Sequence, residues 1–243
     1  MRRPRRIAAV VAAGLIAPAA AASSAGADAA DPLAPTARAA HVAHVVVATA
    51  VRSAPGGGRP RGRVGTTAPW GGGPVRLLVL ASAADDRGVR WLRVRLPERP
   101  NDRDGWIREH HVRLGVTRWR LVVAVRRRTL EARHDGRVVR RFRVVVGAPG
   151  TPTPTGRFAV AERIRQSSGS ELGSWALHLT AHSDVLDDYG GGPGRVAIHG
   201  RAGALLRDPL GTARSHGCVR MDDAAVRWLA ARAREGTPVD VRR

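Results

Sequence analysis

The hydrophobic positions of this chain fall in short runs and alternating patterns, with one helical stripe near the end. In the first half, residues 44–51, 75–80 and 91–96 read as strands, and the last of these alternates apolar with basic side chains as a half-buried strand should. A Gly/Pro/Arg stretch at 55–63 interrupts them, and Gly105-Trp106-Ile107 and Val112-Arg113-Leu114 close the segment. A new unit begins near Thr117. Residues 121–127 and 129–133 read as strands, Asp135-Gly136 is a hairpin turn, and 138–146 is the returning strand. Residues 147–156 hold three prolines and three threonines, so they form a loop. Strand character resumes at 158–164 and 175–180, then at 195–198, which delivers His199. Before it, 181–194 ends in Tyr189-Gly190-Gly191-Gly192-Pro193-Gly194, read as a lid over a site or as a plain surface loop. Asp222 is in place to cap a helix whose Val226, Leu229, Ala230 and Ala233 share a face, with Gly236 and Pro238 to stop it.

A chain of 243 residues suits two modest domains. Charge changes the picture more. The formal net charge is +21, and all 41 basic residues are arginine, so an anionic cell-wall polymer is an expected partner. A GC-rich codon usage accounts for the same excess without any partner. No zinc spacing, aromatic-glycine RNA motif or basic heptad is present, so nucleic acid is not an expected partner. Arg2, Arg3, Arg5 and Arg6, an apolar run and Ala25-Gly26-Ala27 read as a signal peptide over 1–27, implying an exported protein. The run is short and is broken by Pro18, so a membrane tether follows only if the signal stays uncleaved. Residues 28–40 read as a linker.

Cys218 is the single cysteine, and it lies within Ser215-His216-Gly217-Cys218-Val219-Arg220-Met221. It cannot join an internal disulfide, and in an exported protein an unpaired thiol is a buried hydrophobe, an intermolecular link or a nucleophile. The neighbours favour a nucleophile. A free thiol is only a few per cent ionised at neutral pH, so it needs an imidazole or a cation beside it. His199 stands nineteen positions upstream, His216 two before and Arg220 two after. The backbone N–H groups of Gly217 and Cys218 suit an oxyanion, and Arg220 suits a substrate carboxylate or an ion pair within the domain. His178 and His182, four apart, with His199 admit a zinc reading, but the segment reads as strand and lacks the glutamate of His-Glu-x-x-His.

The histidine, the gap and Ser215 to Arg220 resemble the L,D-transpeptidases of bacterial cell walls, with a YkuD-type catalytic domain. The likeness extends through Gly147-Ala148-Pro149, Thr151 to Phe158 and Gly236 to Val239. Val51 to Pro55 and Gly105-Trp106-Ile107 look like the opening and closing strands of a bacterial SH3-like barrel. The resemblance implies a mainly β chain: an SH3-like small barrel at 41–115, then a YkuD-type β-sandwich at 117–243 with a helix on its C-terminal side. It implies catalysis by Cys218 and His199, with His216 and Gly217 beside them and Gly200 supplying a carbonyl to the imidazole. Arg220, Gly200, Ser215 and Tyr189 are the expected substrate-binding residues. No metal or organic cofactor is expected. The implied reaction forms 3→3 cross-links between peptidoglycan stem peptides through a cysteine thioester. An L,D-carboxypeptidase using water and a catalytically silent wall-binding protein remain open. Asp222-Asp223, where many relatives place Asn, departs from the pattern.

Overall fold

Two β-sheets, each covering its own apolar core, make up the described part of this computed structural model, which comprises residues 31–188 and 192–243. The expected signal peptide and Tyr189 lie outside the described residues. The first sheet contains β1 (Ala40–Val45), β2 (Thr49–Ala54), β3 (Gly57–Val64), β4 (Arg76–Ala84), β5 (Arg90–Arg95), β6 (Asp104–Arg108) and β7 (Val112–Thr117). Their order is β3-β2-β6-β5-β4-β1-β7, and the pairings are antiparallel. Alternation puts Val45, Val51, Leu77, Val79, Leu92, Val94 and Ile107 into one core. The sequence reading and the structure differ at 44–51, which is divided where β1 ends at Val45 and β2 begins at Thr49, and at the 55–63 stretch. Most of the 55–63 stretch is the edge strand β3, paired with β2, and its side chains are largely exposed, so burial left no hydrophobic signature to read.

The second sheet follows at once. It is built from β8 (Trp119–Ala124), β9 (Thr129–His134), β10 (Arg137–Arg143), β12 (Gly156–Arg165), β13 (Trp175–His182), β14 (Arg195–His199), β16 (Val219–Arg220) and β17 (Pro238–Arg242), in the order β10-β9-β8-β17-β12-β13-β14-β16. A small parallel pair joins β11 (Val146–Gly147) to β15 (Ala213–Ser215). The helix α1 (Asp223–Ala230) lays Val226, Leu229 and Ala230 on the core shared by Phe158, Leu177, Leu179, Ile198 and Met221. It ends at Ala230, earlier than its apolar stripe suggested. Asp222 occupies the N-cap position without a side-chain capping bond; its carboxylate pairs with Arg201 at 2.7 Å instead.

Residues 31–243 form one compact unit, and direct contacts join the two sheets within it. Ala40 and Leu78 pack on Ala159. Asn101, from the β5–β6 loop, exchanges two hydrogen bonds of 2.8 Å with the backbone of His182. Arg99, from the same loop, donates to the carbonyls of Ser183 and Leu186 at 2.9 and 2.8 Å. Asp31, in the segment before β1, accepts from the Ser82 hydroxyl at 2.9 Å. No helix among the described residues is long and apolar enough to cross a membrane.

Candidate active site

The site is assembled where β14 and β16 run parallel, with Ile198 opposite Val219 and His199 opposite Arg220. This register brings the end of β14 beside the turn that carries Cys218, although nineteen positions separate His199 from Cys218. β14 is buried over Val196 to His199, which suits a central strand flanked on both edges. Cys218, His199, His216 and Arg220 all line one cavity of about 310 Å³.

His199 is buried, and its Nδ1 lies 2.7 Å from the carbonyl of Gly200. A carbonyl only accepts, so Nδ1 carries the proton and Nε2 is left as the basic nitrogen. Burial, assisted by the charge of Arg220, lowers the imidazole pKa to about 4, against the opposing effect of the Gly200 bond. The ring is therefore neutral at pH 7. Gly200 itself admits no side chain: a Cβ there would stand 2.8 Å from an Asp223 carboxylate oxygen and 3.0 Å from the Gly173 Cα.

The Cys218 residue is partly exposed, yet its packed surroundings push the thiol pKa above its ordinary value. A backbone hydrogen bond from Ala197 and the charge of Arg220 oppose the shift without reversing it. Desolvation outweighs both, so the resting pair is a neutral thiol and a neutral imidazole.

A collar of hydrogen bonds fixes the turn around Cys218. Ser215 Oγ donates to the Cys218 carbonyl at 2.5 Å and accepts from the Gly217 N–H at 3.2 Å. Gly217 has φ +115°, a conformation that favours glycine. The proline- and threonine-rich loop braces the turn from outside. Thr153 Oγ1 donates to the Gly217 carbonyl and accepts from the Gly147 N–H, both at 2.9 Å, and Thr151 Oγ1 donates to the Ser215 carbonyl at 3.0 Å. The sequence had placed this loop without assigning it a task.

Arg220 is buried and pairs with Asp208 at 2.6 Å, the ion-pair arrangement the sequence had left open beside carboxylate binding. His216 is exposed at the cavity mouth. His178 and His182 lie on β13 across a register shift, and burial lowers both to about 4. Among the described residues no three His, Cys, Asp or Glu groups converge as a metal site. Sequence reasoning did not assign Trp70 or Arg195 to the site and weighed His178 only as a zinc ligand; all three line the cavity. Their only signals were a lone exposed aromatic in a glycine loop and polar residues at strand positions.

The L,D-transpeptidase catalytic-domain model, YkuD, matches residues 118–241. The chain belongs to the YkuD family. The matched segment runs from just before β8 into β17, so it contains the whole second sheet except Arg242. Proteins named YkuD from Bacillus licheniformis and Bacillus subtilis are each 30% identical over 51% of this chain. The chain spans 65% and 66% of their lengths. An L,D-transpeptidase from Mycobacterium smegmatis is similar over 83% of this chain and 99% of its own, at 15% identity and a TM-score of 0.43. The catalytic domain of an Enterococcus faecium L,D-transpeptidase is similar over 51% of this chain and 95% of its own, at 22% identity and a TM-score of 0.37.

Proposed function

We propose that this YkuD-family protein is a peptidoglycan L,D-transpeptidase that forms 3→3 cross-links through a thioester on Cys218. One observation carries the reading: a neutral imidazole whose Nδ1 proton is committed to Gly200 shares a cavity with the chain's one thiol. Nε2 of His199 takes the thiol proton as sulfur attacks the carbonyl preceding the terminal D-alanine of a tetrapeptide stem. The oxyanion is met by backbone N–H groups of the Gly217–Cys218 turn. In the resting site the Gly217 N–H points at the Ser215 hydroxyl, so Gly217 serves only after that bond is exchanged. The imidazolium then protonates the departing amine, D-alanine leaves, and a thioester remains. An amine from a second stem attacks the thioester, passes its proton to His199, and returns the free thiol. Water in place of the amine gives the L,D-carboxypeptidase reading, through the same intermediate. Arg220, held by Asp208, acts chiefly as a fixed positive charge beside the reaction, and His216 stands where substrate enters.

The protein acts outside the cytoplasm, where peptidoglycan is, after export by residues 1–27, and its first sheet is an SH3-like wall-binding module. An arginine-rich groove supports an anionic polymer as a second partner: Arg76, Arg113, Arg118, Arg232 and Arg234 line it, with Glu235 as the single acid. Intact-mass spectrometry after incubation with a carbapenem, alongside D-alanine release from a tetrapeptide stem, tests the enzymatic reading. Wild type should gain one covalent adduct and release D-alanine, and Cys218→Ala should do neither. Full activity in Cys218→Ala would sink the mechanism.

A further inference from the structure

The cavity that Cys218 lines has one residue contributed by the first sheet's half of the chain. Trp70 sits at the tip of the β3–β4 loop, in the first sheet's half of the chain, and it lines the same cavity as Cys218 and His199. Trp70 is 54% exposed, which is unusual for so large an apolar residue held in a fixed place. The loop is braced across its width: the Ala68 N–H donates to the Gly73 carbonyl at 2.8 Å, and the Val75 N–H donates to the Thr66 carbonyl at 3.0 Å. Its tip is anchored on the second sheet. The Gly71 N–H donates to Glu162 Oε2 at 2.7 Å, and Glu162 Oε1 accepts from Arg195 Nη1 at 3.3 Å. The Arg195 guanidinium in turn lies 5.5 Å from the centre of the Trp70 ring, within cation–π range. Glu162 and Arg195 are both 93% buried side chains by their 7% exposure, so the anchor is a shielded ion pair rather than a surface contact. A loop tied down this way holds an exposed aromatic ring in the wall of the cavity that Cys218 also lines.

We propose that Trp70 forms a peptide-binding subsite of the Cys218 cleft, contributed by the first sheet, against which the acyl-donor stem packs as it enters. The proposal rests on the transpeptidase reading for the identity of the peptide. Arg195 and Glu162 are positioning residues: they hold the indole and do not touch the reacting atoms. The first sheet is then part of the catalytic cleft as well as a module beside it. The ligand chemistry follows from the wall. A flat, partly exposed indole beside Leu186 and Pro193 favours the aliphatic and backbone faces of an extended peptide, leaving its polar ends to the cavity's arginines.

Two measurements on the full chain test this, with thermal melting to verify that each variant folds. In steady-state D-alanine release from a tetrapeptide stem, Trp70→Ala should raise KM about 5-fold while kcat changes less than about 2-fold, and Trp70→Phe should recover most of the loss. An unchanged KM in Trp70→Ala overturns the proposal, and so does a KM that Trp70→Phe does not recover. In the second measurement, calorimetric titration of the same tetrapeptide into Cys218→Ala needs no turnover. Affinity that falls about 5-fold on adding Trp70→Ala supports the subsite. Equal affinity with and without Trp70, or no binding to Cys218→Ala at all, overturns it. Wild type that releases no D-alanine while Cys218→Ala binds the peptide through Trp70 would sink the transpeptidase reading and leave the subsite standing.

Discussion

His199 is buried as a neutral ring, and this sets how the proposed chemistry responds to acid. A base must be unprotonated to accept the thiol proton, and the imidazole pKa is about 4 because the charged form is poorly solvated there. The free-enzyme kcat/KM for D-alanine release should therefore rise with pH through about 4 and stay level from there to neutrality. An acid limb centred near the ordinary histidine value of about 6.5 would remove His199 from the role of base. The raised thiol pKa acts in the same direction, since no thiolate–imidazolium pair forms at rest to give an early onset. Cys218 and the histidine nineteen positions before it were legible in the sequence as residue types at a spacing. Their protonation states were not, because those depend on how much water the fold removes.

At the scale of elements, the turn holding Cys218 is too irregular to be stabilised by sheet hydrogen bonds alone. β15 and β16, of three and two residues, flank it, and the threonine loop supplies the missing partners. Thr153 is 3% exposed and bridges the Gly147 N–H and the Gly217 carbonyl. Thr153→Val keeps the shape and leaves both backbone groups unpaired, which should cost about 2 kcal/mol of stability in urea denaturation. D-alanine release should fall as the Gly217 peptide drifts, and Thr153→Ser should recover both properties. Loss of neither in Thr153→Val would mean that the loop does not brace the turn. The 147–156 loop was legible as a loop from its prolines, but its purpose lies in contacts to residues more than sixty positions away, which a local pattern cannot encode.

For the whole molecule, three histidines folded in neutral form make stability depend on pH in a defined window. His178, His182 and His199 each fall to about 4 in the folded state, chiefly through burial, whereas the unfolded chain protonates near 6.5. Between these values the unfolded state binds more protons, so stability declines as pH falls from 6.5 toward 4 and the contribution is fully present above 6.5. A fully buried histidine contributes about 1.4 kcal/mol per pH unit inside that window. The melting temperature should drop steadily between pH 6.5 and 4.5, and His182→Asn should reduce the slope. The carboxylates with lowered pKa, Asp31, Asp85 and Glu131, titrate below this range and do not produce it. A flat profile would show that the histidines are reached by water.

Alternating apolar positions, the Asp135-Gly136 turn and the lone cysteine with its histidine are local facts of the chain, and from them the β architecture, the order of elements and the candidate pair Cys218 and His199 were readable. Strand pairing across long separations decided the rest. The parallel alignment of β14 with β16 brings His199 beside the Cys218 turn, and β3 exists as a strand only because β2 offers it a partner. Packing of one sheet's loop on the other brought Trp70, ninety-two residues before Glu162, to the cavity wall through a buried carboxylate that accepts from Gly71. Burial then set the charges on His199 and Cys218. Sequence patterns record which side chains a segment carries and which face is apolar. Which segments meet, and how little water is left between them, is fixed only when the whole chain has packed.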